Sequence, residues 1–166
     1  MTGSREREKR LPVRLTTRAT YSIKALLDLA MLSKGQRASV RAIAERQQIP
    51  APYLEKLLIE LRQAGLVCSQ RGAQGGYRLA RPPRRIPISA ILAAVGESLD
   101  LRTNSSEGAR APQESAGAGA DWVTAALWAR IAQRVQQVLE ETTLEDLYFD
   151  ARSWQAAQSQ EGKFVV

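Results

Sequence analysis

The stretch Arg71-Gly72-Ala73-Gln74-Gly75-Gly76-Tyr77, set directly behind the leucine-rich run from Tyr53 to Leu66, restricts the fold of this chain more than any other feature. Its glycines permit the positive φ of a tight reversal and allow a backbone to approach another group closely. The flanks Leu66 to Gln70 and Tyr77 to Ala80 have strand character. A two-stranded hairpin hung on the end of a helix is therefore expected, with Arg71 at its tip placed to reach outward.

The residues ahead of the hairpin read as three helices. From Thr16 or Thr17 as N-cap, Ile23, Leu26, Leu27, Ala30 and Met31 recur at spacings of three and four and are expected to face a core, in a helix ending before Gly35. Ser39 is a plausible cap for a shorter helix with Val40, Ile43 and Ala44 inward and Arg41, Glu45 and Arg46 outward, stopping near Ile49-Pro50. Pro50 and Pro52 suit the start of a third helix, whose stripe Leu54, Leu57, Leu58 and Leu61 runs until Ala64-Gly65. Its opposite face carries Pro52, Glu55, Lys56, Ile59 and Gln63. Two helices joined by a short turn are either an ordinary helical hairpin or a helix-turn-helix, in which the second helix meets base edges in a major groove. The hairpin behind them favours the second reading, a winged helix whose Arg71 enters a minor groove, with Gln74 and Arg78 as weaker contacts and Tyr77 as a packing residue.

Charge points the same way. Residues 1–87 hold 18 Lys and Arg against 6 Asp and Glu, a balance of +12, while residues 88–166 hold 6 against 11, a balance of −5. The basic half would supply the salt-sensitive, sequence-independent part of affinity for a polyanion. With no histidine and one cysteine, Cys68, the chain lacks the residues for a Ser/His/Asp triad, a Cys/His pair, a nitrogen-and-sulfur zinc site or an internal disulfide. Neither a phosphate-binding loop ending in Lys-Ser/Thr nor a dinucleotide fingerprint is present, so no enzyme is expected. Short apolar runs broken by charge, and an opening Met1 to Arg10 that does not read as a secretory signal, place the expected protein in the cytoplasm, without a membrane partner.

Five regions are expected: a flexible basic arm (1–14), a winged-helix DNA-binding domain (15–100), a mobile loop (101–120), a long dimerisation helix with a short terminal helix (121–151) and a polar tail (152–166). The fold class is mainly α with a small β-hairpin wing. Arg81-Pro82-Pro83-Arg84-Arg85 forms a rigid basic link to a small helix with Ile88, Ile91, Leu92 and Val95 inward. In the long helix Val123, Leu127, Ile131, Val135 and Val138, joined by Trp128 and Leu139, form an apolar stripe with little chain left to cover it. It either folds back on the first helix or pairs with a second copy, the expected outcome, which would place two recognition helices about 34 Å apart along a duplex. Thr143 should cap the terminal helix, with Leu144, Leu147 and Tyr148 inward and the capping box left incomplete by Asp146; Trp154 is a candidate anchor in a frayed tail.

Read in order, Leu15-Thr16-Thr17-Arg18, Tyr21, Ala25-Leu26, Pro52-Tyr53-Leu54-Glu55, Leu61, Gly65-Leu66-Val67, Arg71-Gly72, Gly75-Gly76-Tyr77 and Leu79 resemble the Rrf2 family, the IscR-like bacterial winged-helix transcription regulators. The resemblance extends to Ala151. It implies homodimers on promoter operators, with the long C-terminal helices crossing at the interface. It also implies that Glu55 is the base-reading glutamate and Arg71 the wing arginine. A carboxylate accepts from cytosine N4 and repels other edges, so Glu55 suits selectivity more than affinity; its alternative is a solvent-facing ion pair with Lys56. The expected DNA-contacting set is Arg41, Pro52, Tyr53, Glu55, Lys56, Arg71, Gly72, Gln74, Gly75 and Gly76.

The chain departs from that family at the sensor. Many relatives hold an iron-sulfur cluster on three cysteines in the loop, with a histidine at the start of the dimerisation helix. Here Asn104 and Ala125 stand at two of those places, and one thiolate cannot hold a cluster that needs several. No iron-sulfur cluster and no metal are expected. A regulatory protein partner, a small ligand near the loop or constitutive binding remain open, as does a redox role for Cys68 against a small buried thiol. The expected function is sequence-specific regulation of transcription, as a repressor on a palindromic operator; the alternative is a winged-helix adaptor that no longer binds DNA.

Overall fold

The computed structural model describes residues 15–33, 35–72, 75–97 and 118–161. In chain order they form α1 (Thr17–Ala30), α2 (Val40–Gln47), α3 (Ala51–Gln63), β1 (Val67–Gln70), β2 (Gly76–Leu79), a 3-10 turn (Pro83–Arg85), α4 (Ile88–Ala94), α5 (Ala118–Glu141) and α6 (Leu144–Glu161). The fold is mainly helical with one antiparallel hairpin, in which Val67 pairs with Leu79, Cys68 with Arg78, Ser69 with Tyr77 and Gln70 with Gly76. No helix of the described residues is long and apolar enough to cross a membrane.

Local chemistry accounts for most of the boundaries. The Thr16 hydroxyl accepts from the Ala19 amide to cap α1, and the Ser39 hydroxyl accepts from the Ala42 amide to cap α2. Helix α2 stops on Gln48 in the left-handed region, and α3 is followed by Gly65 at φ +69°, a conformation open to glycine. Leu54, Leu57, Leu58 and Leu61 of α3 are fully buried and meet α1, α2, α4 and the hairpin. Ile88, Ile91, Leu92 and Val95 add the α4 side of the core as the spacing predicts, and Ile86 and Ile49, outside any helix, complete it.

Several expectations need correction. Helix α1 does not bury a single stripe: Ala19, Ala25, Leu26 and Leu29 are buried together with Ser22 and Asp28, while Ile23, Leu27 and Ala30 are only half-buried. Because α1 touches α2, α3, α4, α6 and β2, neighbours surround it on several sides and no single apolar stripe suffices. Met31, expected inward, lies at the C-cap past the last turn and is exposed.

The terminal helix is not short. Helix α6 runs to Glu161, so the expected polar tail is helical in its first ten positions, 152–161. Gln155, Ala156, Ala157 and Gln158 are good helix formers and neither glycine nor proline intervenes before Gly162. Trp154, expected as an anchor, is 66% exposed there. The capping box at its start is complete despite Asp146: the Thr143 amide donates to the Asp146 carboxylate at 2.8 Å and the Asp146 amide donates back to the Thr143 hydroxyl at 3.4 Å. An aspartate one methylene shorter than glutamate still reaches, and the two hydrogen bonds from Thr143 hold its carboxyl below the usual range. Finally, α5 begins at Ala118, so residues 118–120 of the expected loop are helical. The basic arm, the rest of the loop and Gln74 lie outside the described residues.

Candidate nucleic-acid interface

Helix α3 has two faces with different duties. The leucines anchor one, and on the other Pro52, Glu55 and Lys56 are exposed, with Tyr53 at the edge where it is 36% exposed. Among the described residues no side-chain hydrogen bond or ion pair engages Glu55 or Lys56, so the ion pair weighed against a reading role for Glu55 does not form. The carboxylate and the ammonium are exposed to solvent.

The hairpin is held to α3 and to the loop before α2. Arg62, in the last turn of α3, donates to the Ser69 hydroxyl of β1 at 3.2 Å. Toward the tip side of the hairpin the Tyr77 amide donates to the Ala38 carbonyl at 2.8 Å and the Ala38 amide donates to the Tyr77 carbonyl at 3.0 Å, an isolated antiparallel bridge beside β2. Gly76 makes this approach possible: its φ is +136°, and a Cβ there would stand 2.6 Å from the Ala38 carbonyl oxygen. At Gly75 a Cβ would run into the Gln70 carbonyl. Gly75 and Gly76 therefore build the wing and are half-buried, whereas Gly72, at φ +109°, and Arg71 are exposed toward its tip. Arg78 is exposed across the ladder from half-buried Cys68, and Tyr77 packs against the core as its sequence context suggests.

Arg41 is exposed on α2, and its guanidinium donates to Glu45 at 2.8 Å, a bond that raises its pKa. Such an exposed pair holds the arginine weakly, and a phosphate can replace the carboxylate at little cost.

Sequence periodicity misses the polar grip behind this surface. Asp28, buried on α1, receives both Nε and Nη2 of Arg46, at 2.9 and 2.6 Å, and a further bond from Gln47 at 3.0 Å. That bond raises the pKa of Arg46 against the opposing effect of its partial burial. Arg18 donates to Glu60 of α3 at 2.5 Å and to the Val95 carbonyl at 2.6 Å. The available signal was an aspartate inside an apolar helix, Asp28, facing an arginine-rich neighbour.

Known proteins are similar to this chain in sequence and fold. Residues 15–150 match the Rrf2 family, described as iron-dependent transcriptional regulators. A Synechocystis protein assigned as a helix-turn-helix transcriptional regulator is 49% identical over 93% of this chain and its own full length. The regulator IscR of Cereibacter sphaeroides is 38% identical, covering 81% of this chain and 86% of its own. Among solved structures, T. potens IscR superposes with a TM-score of 0.68 at 36% identity, over 87% of this chain and 92% of its own. CymR, the global cysteine regulator of B. subtilis, gives 0.63 at 31% identity, over 82% and 96%.

The iron in the family description finds no matching donor set. An iron-sulfur cluster takes several thiolates, with histidine as an occasional substitute. This sequence has one cysteine and no histidine, and Cys68 is committed to a wing strand opposite Arg78. Among the described residues no three Cys, Asp or Glu side chains gather where they could hold a metal ion. The residues present do not fit the cluster.

Proposed function

The chain belongs to the Rrf2 family of DNA-binding transcription regulators and is not an enzyme, and on that premise we propose that it reads a palindromic promoter operator as a homodimer, without an iron-sulfur cluster, and represses by occupying the site. The observation that carries this reading is the unpaired polar face of α3, with Glu55 and Lys56 exposed, lying in the half of the chain that holds the +12 charge balance and beside a wing tipped by Arg71.

Each element has a separate task. Glu55 selects among base edges, Lys56 and Arg41 meet phosphates, and Pro52 and Tyr53 shape the end of α3 that enters the major groove. Gly72, Gly75 and Gly76 present Arg71 to the adjoining minor groove, with Gln74 a weaker candidate contact.

The stripe on α5 supports the dimer. Val123 and Val138 are each 60% exposed, Leu127 52% and Ile131 37%, with Val135 half-buried; α5 packs on α4, and Leu139 joins the core. A second α5 would cover this stripe and place two copies of α3 on half-sites about 34 Å apart or a close multiple.

Selection from a randomised pool of DNA duplexes, followed by anisotropy titrations at several salt concentrations, tests the reading. Wild type should enrich a palindrome and lose affinity steeply with salt. Arg71→Ala should weaken binding to every duplex and lower the salt slope by about 1, while Glu55→Ala should mainly relax preference at one position by about 1–3 kcal/mol. A salt-independent protein that enriches nothing would be the adaptor instead. Stoichiometric iron and sulfide after anaerobic purification would overturn the cluster-free assignment.

A further inference from the structure

Arg18, Tyr21, Lys24 and Asp28 recur along α1 at spacings of three, three and four, which at about 100° per residue confines them to one broad face of roughly 120°. Every one of them touches the helix-turn-helix. Arg18 donates to Glu60 in the penultimate turn of α3 at 2.5 Å. The Tyr21 ring meets the Tyr53 ring in the first turn of α3 edge-on, with centroids 5.8 Å apart and planes at 84°. Lys24 donates to the Gln47 carbonyl at the end of α2 at 2.6 Å and lies 6.0 Å from the Tyr21 ring centroid. Asp28 takes the bidentate Arg46 and Gln47. The recognition helix is thus held near both ends, and the turn before it is held between.

These contacts perform a task that the leucines cannot. Burial of Leu54, Leu57, Leu58 and Leu61 is worth several kcal/mol, yet apolar contact is non-directional and tolerates a helix that rolls by some degrees. Directional bonds from a guanidinium fork do not, and they specify one arrangement among many of similar burial. A roll of α3 swings Glu55 and Lys56 across the groove that they face, so base choice depends on what fixes the roll.

We infer that this polar stripe on α1 is a rail setting the orientation of α3, and that Arg18 is its principal positioning residue for base selectivity. Arg18 is the natural pivot because its fork joins α3, through Glu60, to the last carbonyls of α4, through Val95, while its neighbour Thr16 donates to Glu97 at 2.7 Å. The inference rests on the reading of α3 as the DNA-facing helix, and Arg18 itself is given no contact with DNA.

The test uses the full chain and a randomised duplex pool. The duplex most enriched by wild type, its single-base variants and an unrelated duplex are titrated with wild type, Arg18→Met, Arg18→Lys, Glu60→Met and Glu55→Ala. Arg18→Met should lower the ratio of affinities between the enriched duplex and its variants by about ten-fold, leaving affinity for the unrelated duplex and the salt slope unchanged. Arg18→Lys, with one compact donor group in place of the fork, should recover part of the ratio. Glu60→Met cuts the same tie from α3 and should give a similar loss; it decides the matter if circular dichroism shows Arg18→Met unfolded. An unchanged ratio overturns the rail, and so does a uniform loss on all duplexes with a shallower salt slope, which would make Arg18 a phosphate contact. The Glu55→Ala arm separates the two readings. Loss of selectivity there with none in Arg18→Met leaves the α3 surface standing and removes the rail, whereas no effect there removes Glu55 from base reading while the Arg18 arm still judges the rail.

Discussion

The body formed by α1–α4 and the hairpin and the limb formed by α5 finish their surfaces in opposite ways. In the body most large apolar side chains are inside, and polar pairs tie its elements together, as in Arg46–Asp28 and Arg18–Glu60. Along α5, Trp122, Val123, Leu127, Trp128, Ile131 and Val138 stay exposed, and the hydrogen bonds between its polar side chains are local, Gln136 to Glu140 and Gln137 to Glu141. The core of the body is closed within one chain, with Leu144 of α6 buried in it, while α5 keeps an apolar face exposed. Under the proposed function, DNA is read by the rigid body and a second copy is met by the open face of α5, so the two demands fall on separate parts of the fold.

The sharpest way to break this comparison is through a core leucine. Leu58→Ala, at a site with no exposure, should lower the unfolding free energy by about 2–5 kcal/mol in urea titrations. A cost under about 1 kcal/mol would mean that the body is as loosely finished as the limb. Next in size is the pair Leu127→Glu with Ile131→Glu. Sedimentation should show a dimer becoming a monomer, while near-ultraviolet circular dichroism reports an intact body. If the wild type is already monomeric, or if the body melts with the substitution, the division of labour does not hold.

The smallest effect lies at the junction of α5 and α6. Because the folded Asp146 carboxyl titrates below its ordinary value, its stabilising effect is fully present above the unfolded value of about 3.9 and is lost as pH falls through the lower folded one. The difference in melting temperature between wild type and Asp146→Asn should therefore be constant at neutral pH and close below about pH 4. A difference that persists into strong acid would assign the cap to something other than the carboxylate.

Parts of this molecule were legible before any coordinates. The leucines of α3, the glycines of the wing and the apolar positions of α4 follow periods of helix or turn, which depend on neighbours a few residues away. Helix α1 was less legible: it is surrounded, and a surrounded helix has no single apolar stripe to reveal its orientation. The length of α6 was missed for a different reason, since a polar run of Gln and Ala reads as a tail although its intrinsic preference is helical. At the interface, sequence order alone identified α3 and the wing as neighbours but not the staple between Ala38 and Tyr77 that joins the wing to the loop before α2.

By itself the sequence determined the family, the winged-helix order of elements, the split of charge between the halves and the absence of thiolates for a cluster, because each is a matter of residue identity or of spacing along the chain. Only the tertiary structure decided that Arg18 meets Glu60, 42 positions away, that Asp28 takes Arg46, and that the α5 stripe is left uncovered within one chain. Those outcomes turn on how helices settle against one another, and a directional bond between distant side chains exists only after that packing has set their separation.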